Sequence, residues 1–192
     1  MGDRIVIMQD IILRAATLDD LDFLVEVDRE DEGVTSAFSY DTPAESAKHR
    51  AKIAGFVDHD DAGAWVLEDR ANGRLAGCIL CRFRDRSTEE PNDWNQMLFR
   101  TVGDDWLRPE QRFCEVFQLW VDPDYRRQGL AMRLKRHMEV EARARGIHVL
   151  YTHTEEVNLH VIELNRKLGY HEVRRGPIWD EVVRVSLAKR LG

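Results

Sequence analysis

The sequence predicts a mixed α/β (α+β) fold, a mixed central β-sheet flanked by helices. Three observations carry that expectation. Runs with period-2 apolar alternation interleave along the chain with runs of helical period. Asn72-Gly73 sits between two strand-like runs, the strongest short-range hairpin signal. A strand ending at Asp122-Pro123 feeds, through a turn, a long amphipathic helix.

The elements follow in order. Ile11 to Ala15 is an apolar run suited to a first strand. Thr17-x-x-Asp20 resembles a capping box with the shorter acid, and Leu18, Leu21, Phe23, Leu24, Val25 and Val27 supply an apolar helical stripe. Thr42, Pro43 and Glu45 form a clearer box opening a second helix to about Val57, with Ala44, Ala47, Ala51 and Ala54 favouring its continuation. Ala64 to Glu68 and Leu75 to Phe83 read as strands on either side of Asn72-Gly73. The stretch 85–112 has no clean period, and a structureless loop of that length is unusual. It is expected to be an insertion on the substrate side with a short helix around Trp94 to Val102. Glu115 to Val121 alternates as a strand, with Gln118 among apolar residues. A helix from about Gly129 to Arg145 repeats Leu130, Leu134, Met138 and Ala142 on one face, and Gly146 ends it. Ile147 to Thr152 is a strand. Val157 to Leu168 is a helix with Val161, Ile162, Leu164 and Leu168 inward and Gly169 as its stop. Val173 and Val182 to Leu187 close the sheet around the Gly176-Pro177 turn. The order is β-α-α-β-β-(insertion)-β-α-β-α-β-β.

Composition narrows the function classes. The 192 residues fit a single domain, 1–192, long enough to bury a core without staples. No apolar run approaches the roughly 20 residues that cross a bilayer, so no membrane partner is expected. Met1-Gly2-Asp3-Arg4 lacks the basic start and apolar stretch of a signal peptide, and a cytoplasmic location is the default expectation. Cys78 and Cys81 form a C-x-x-C without a second pair or histidine cluster at zinc spacing, so these thiols and Cys114 are expected to be free and buried, with no metal. With 28 Lys and Arg against 35 Asp and Glu, the net charge is −7, which argues against a nucleic-acid partner. An acidic surface suits a cationic substrate such as an amine, and equally serves solubility.

The most informative stretch is Val121-Asp122-Pro123-Asp124-Tyr125-Arg126-Arg127-Gln128-Gly129-Leu130-Ala131. The first amides of the following helix have no internal partners and converge with the helix dipole, which makes a ready anion site. Gly129 lets a phosphate approach the backbone, and Ala131 keeps the first turn slim. Arg126 and Arg127 add positive charge at the end of a helix where arginine is not otherwise favoured. The sequence lacks G-x-G-x-x-G and G-x-x-x-x-G-K-[ST], which argues against a dinucleotide or triphosphate site.

Arg126-x-x-Gly129-x-Ala131, after Leu119-Trp120-Val121-Asp122-Pro123 and with Tyr125 before the first arginine, resembles the acetyl-CoA pyrophosphate loop of the GNAT superfamily of N-acetyltransferases. Asn158-x-x-Val161-x-x-Leu164-Asn165-Arg166-Lys167-Leu168-Gly169-Tyr170 resembles that family's second motif. The resemblance is specific over Glu115 to Tyr170 and topological over the N-terminal half.

The resemblance implies a CoA cleft between splayed parallel strands, here Glu115 to Val121 and Ile147 to Thr152. It implies that Leu119, Trp120 and Val121 line the pantetheine arm, with backbone groups of Leu119 and Val121 pairing to it. It places the pyrophosphate on Arg126, Arg127, Gln128, Gly129, Leu130, Ala131 and Met132, with Asn158 contacting the arm or bracing the splay. The implied reaction is direct transfer of an acetyl group from acetyl-CoA to a primary amine of a small molecule, an amino acid or a protein N-terminus. An alkylamine of pKa about 10 must first lose a proton. Glu115 is the expected base, directly or through water, and His153 is the alternative, since an ordinary imidazole titrates near neutrality. Many members of the family place a proton-donating tyrosine where this chain has Asn165. An amide is no comparable acid, although it can hydrogen-bond the cofactor. The donor is then water, or Tyr125 or Tyr151 if either faces the gap, while Tyr170 matches the family's packing aromatic. The same departure keeps open a non-catalytic CoA-sensing module. Homodimers are common in the family. The acceptor is not legible, and Asp28 to Tyr40, the second helix and the insertion are the segments expected to select it.

Overall fold

Strands and helices succeed one another in the expected order in the computed structural model, which describes residues 10–32, 42–85, 106, 108 and 111–192. The elements are β1 (Ile11–Ala15), α1 (Leu21–Glu32), α2 (Pro43–Val57), β2 (Ala62–Asp69), β3 (Arg74–Asp85), β4 (Arg112–Val121), α3 (Leu130–Ala144), β5 (Val149–Glu155), α4 (Leu159–Lys167), β6 (His171–Gly176) and β7 (Arg184–Arg190). They form a seven-stranded mixed sheet in the order β1-β2-β3-β4-β5-β7-β6. β4 and β5 run parallel, whereas β1 with β2, β5 with β7 and β6 with β7 are antiparallel. Most of 85–112, including the whole of Trp94 to Val102 where a short helix is expected, and residues 33–40 of the expected Asp28 to Tyr40 segment lie outside the described residues.

The chain divides into two compact units, one of Met1–Cys81 with Gln118–Lys135, the other of Arg82–Phe117 with Arg136–Gly192. In the first, Leu24 and Val27 of α1, Ile53 and Phe56 of α2, Val66 and Leu67 of β2 and Ile79 and Leu80 of β3 are buried. Each such side chain contributes about 1.5–3 kcal/mol relative to exposure. The Thr42 cap forms as expected: its hydroxyl accepts the Glu45 N–H at 3.2 Å, and the Glu45 carboxylate accepts the Thr42 N–H at 3.1 Å. The Thr17 cap opens a 3-10 turn, Leu18–Asp20, ahead of α1, and Asp20 is drawn inward by Arg14 at 2.7 Å. Leu18 therefore leaves the apolar stripe and is 54% exposed. The Asn72-Gly73 turn forms with Gly73 at φ 70°, its N–H donating to the Asp69 carbonyl at 2.7 Å. Cys78 and Cys81 are both buried and neither is in a disulfide, because successive β3 side chains are covered on either face.

In the second unit Phe113, Val149 and Tyr151 form a buried cluster with Trp106 and Val173 packed against it. Lys189 reaches both carboxylate oxygens of buried Glu139 at 2.8 Å. α4 begins at Leu159, later than the apolar pattern suggests, because Asn158 takes the N-cap position; Val157 is left outside and exposed. Within α4, Ile162 is buried and Val161 and Leu164 are half-buried, and Leu168 is buried just beyond its end.

Candidate active site

The anion loop lies in the first unit, and its shape is set by hydrogen bonds on its N-terminal side. The Asp122 N–H donates to the Ala76 carbonyl at 3.0 Å, and the Asp122 carboxylate accepts the Asp124 N–H at 2.8 Å, capping the 3-10 turn Pro123–Tyr125. Buried Tyr125 donates its hydroxyl to Asp69 at 2.7 Å and accepts from Asn72 at 3.2 Å. The hairpin turn and the loop are thus tied through one carboxylate. Arg126 folds back, its Nε donating to the Val121 carbonyl at 2.9 Å.

The chain then takes left-handed values at Arg127, φ 64°, and at Gly129, φ 78°. A non-glycine residue at such a φ costs about 1–2 kcal/mol, and alternating hand turns successive N–H groups toward one concavity. The first turn of α3 carries no acidic residue. The Arg133 N–H, donating to the Gly129 carbonyl at 3.0 Å, begins the helical ladder, so the amides of Leu130, Ala131 and Met132 precede it. A Cβ built on Gly129 meets nothing within 4 Å, so the space above its backbone is open. These are the residues the sequence assigns to a phosphate.

Upstream, Gly77 admits β4 closely: a Cβ there would lie 2.8 Å from the Trp120 carbonyl oxygen. Leu119, Trp120 and Val121 are half-buried, and Trp120 stacks edge-on to Phe23 at 5.8 Å.

The second unit holds the candidate proton-transfer groups. The β4–β5 register comprises Cys114–Leu150 and Glu115–Tyr151, and no further pairs occur among the described residues. β5 continues to Glu155 in register with β7. Glu115 therefore stands where the parallel ladder ends. It is buried, and Arg84 of β3 holds its Oε2 at 2.5 Å. Arg84 is not legible as a partner in the sequence; the available signal is the pair Arg82 and Arg84 alternating after the apolar run of β3.

His153 follows two positions after Tyr151. Its ring packs edge-on against Trp179 at 4.9 Å, and its Nδ1 is buried without a hydrogen-bond partner. Loss of hydration, reinforced by the charges of Arg184 and Arg174, lowers its pKa to about 4. His153 therefore departs from the ordinary imidazole expected there, because burial favours its neutral form. Burial raises the pKa of both phenols, and the Tyr151 hydroxyl donates to Ser186 at 2.9 Å while that of Tyr125 donates to Asp69 at 2.7 Å.

Asn158 caps α4 with its carbonyl, which accepts from Val161 at 3.0 Å and Ile162 at 3.1 Å, and its side chain lies 3.4 Å from the Thr154 hydroxyl. Asn165 is buried, donating to the Val161 carbonyl at 3.0 Å and leaving Oδ1 without a partner. Tyr170 is buried, as its packing role requires. Among the described residues no group of three or more His, Cys, Asp or Glu is placed to hold a metal, and no helix is long and apolar enough to cross a membrane.

The fold is thus a mixed α/β sheet whose parallel pair β4–β5 has a short register and whose fourth strand leads, through a turn, into α3. The chain belongs to the acetyltransferase (GNAT) family, whose model matches residues 23–170. A stretch of 57 residues is 39% identical to the [ribosomal protein bS18]-alanine N-acetyltransferase of Escherichia coli strain K12; it covers 30% of this chain and 38% of that relative. Two solved structures show the same fold. Arabidopsis thaliana NAA60 in complex with acetyl-CoA has a TM-score of 0.71 at 18% identity, with 94% of this chain and 98% of that one covered. A mosquito arylalkylamine N-acetyltransferase like 5b has a TM-score of 0.68 at 21% identity, with 94% and 100% covered.

Proposed function

We propose that the protein transfers the acetyl group of acetyl-CoA directly to a primary amine. The observation that carries this reading is the loop from Arg126 to Met132, where two left-handed residues and an acid-free helix start leave open backbone donors for a diphosphate. Family membership supports it, and so do relatives whose names specify N-acetyl transfer to a ribosomal protein alanine or an arylalkylamine. A cytoplasmic location goes with this reading.

In this proposal Arg126, Arg127, Gln128, Gly129, Leu130, Ala131 and Met132 hold the pyrophosphate. The backbone of Leu119 and Val121 flanking Trp120 pairs with the pantetheine arm as an added strand would. Asn158 fixes the start of α4 and the end of β5, and Asn165 offers its unpartnered Oδ1. The amine gives up a proton to Glu115, directly or through water, and its lone pair attacks the thioester carbonyl carbon. The C–S bond then breaks, the nitrogen gives its second proton to water and the thiolate takes one from water, so the transfer is neutral overall. His153, held neutral by burial, is the alternative base. The acceptor is a primary amine, with a protein N-terminus among the candidates.

The commitment of Tyr125 and Tyr151, together with asparagine at 165, favours one second reading: a module that binds CoA without turnover. Thiol release on mixing with acetyl-CoA and a broad panel of amines and peptides separates the two. Release that requires Glu115, and is lost in Glu115→Gln, supports the enzyme. CoA binding with no release across the panel supports the sensor.

A further inference from the structure

We propose that Gln118 is a cofactor-binding residue whose carboxamide pairs with an amide of the pantetheine arm; this rests on the proposed acetyl-CoA site. Gln118 is 3% exposed, and both its Nε2 and its Oε1 are buried without a hydrogen-bond partner. Among the described residues no other side chain carries a donor and an acceptor atom both in this state. Buried polar groups in folded proteins are satisfied as a rule, and an unsatisfied one lowers stability. A leucine or methionine of similar volume at 118 would avoid that loss.

Position and chemistry both point to a ligand. Gln118 lies on β4 three residues past Glu115, where the register with β5 ends, and directly before Leu119–Val121, the stretch assigned to the arm. With the loop at Arg126–Met132 it falls in one structural unit. A carboxamide presents N–H donors and a carbonyl acceptor together. A secondary amide, the group that recurs along pantetheine, offers a donor and an acceptor on opposite sides, and the carboxamide can hydrogen-bond whichever of the two faces it. The diphosphate offers acceptors only; adenine does present a paired donor and acceptor, and an arm-free fragment of CoA reports on it. The orphaned amide is therefore explained by the part of the molecule that the adjoining backbone binds.

The test uses the whole chain and two probes, CoA and its adenosine bisphosphate fragment, which lacks the arm. Gln118→Met is expected to melt at a higher temperature than wild type, because the unsatisfied amide is gone. It is also expected to bind CoA roughly tenfold more weakly, the loss of about one hydrogen bond to the ligand, while its affinity for the fragment is unchanged. Gln118→Leu also removes both polar atoms at similar volume; it is expected to lose CoA affinity in the same selective way, and it serves if the methionine variant does not fold. Unchanged CoA affinity in either folded variant overturns the proposal, as does an equal loss for CoA and fragment. Failure of wild type to bind either probe would instead remove the acetyl-CoA site itself.

Discussion

Replacing Gly129 by alanine separates the cost to the fold from the cost to the ligand. At φ 78° the substitution places an L side chain in the left-handed region, a penalty of about 1–2 kcal/mol. No steric term adds to it in the free protein, since the new Cβ meets nothing within 4 Å. For a chain of this size each kcal/mol shifts the melting temperature by about 2–4 °C, so the free variant should melt roughly 2–8 °C lower. In the proposed site the same methyl group would occupy the space through which a phosphate reaches the amides of Leu130 to Met132. Losing one charge-assisted hydrogen bond there costs about 1.5–3 kcal/mol, or roughly 10- to 150-fold in Kd. Thermal denaturation and calorimetric titration with CoA read the two effects independently. A variant that melts lower yet binds CoA as wild type does would refute the assignment of this backbone to the phosphates.

Three further outcomes are expected. Gly77→Ala should lower stability by about 2 kcal/mol or more in denaturant unfolding, because its Cβ would press on the Trp120 carbonyl at 2.8 Å, where backbone cannot give way cheaply. His153, with a folded pKa of about 4 against an unfolded value of 6.5, binds its proton more readily in the unfolded chain. Its cost to the fold is absent above pH about 6.5, grows as pH falls toward about 4 and is constant below. Urea midpoints should therefore drop more for wild type than for His153→Asn between pH 7 and pH 5, and parallel curves would contradict this. Tyr151→Phe should leave the acetyl-transfer rate within about threefold of wild type, since its hydroxyl is committed to Ser186; a hundredfold loss would identify it as the proton donor after all.

What the sequence revealed and what it concealed divide along physical lines. Local signals were legible. The Thr42-Pro43-Glu45 cap, the Asn72-Gly73 turn, the Leu130–Leu134–Met138–Ala142 stripe and the glycine stops at 146 and 169 each depend on a few neighbouring residues, and each appears in the fold. The Arg126 to Ala131 pattern was legible for the same reason, because a strand, a turn and a helix start determine its geometry. The properties that arise from distant residues were not legible. His153 looked like an ordinary imidazole because Trp179, Arg184 and Arg174, which strip its water and repel its proton, come from the far end of the chain. Glu115 could be named without its partner, since Arg84 reaches it only once β3 lies beside β4. Leu18 read as core until the pull of Arg14 on Asp20 tightened that turn into a 3-10 helix. Gln118 stood in plain view as a polar residue in an apolar strand, yet only the fold shows that nothing in the described residues satisfies it.

The claim beneath the whole account is that open backbone N–H groups after β4 grip a diphosphate. Amide chemical shifts recorded during a CoA titration test it most directly. The account predicts saturable shifts that are largest at Gln128, Gly129, Leu130, Ala131 and Met132, with weaker changes at Leu119 and Val121. Saturation with those amides unmoved, or no change at all at millimolar CoA, would contradict it.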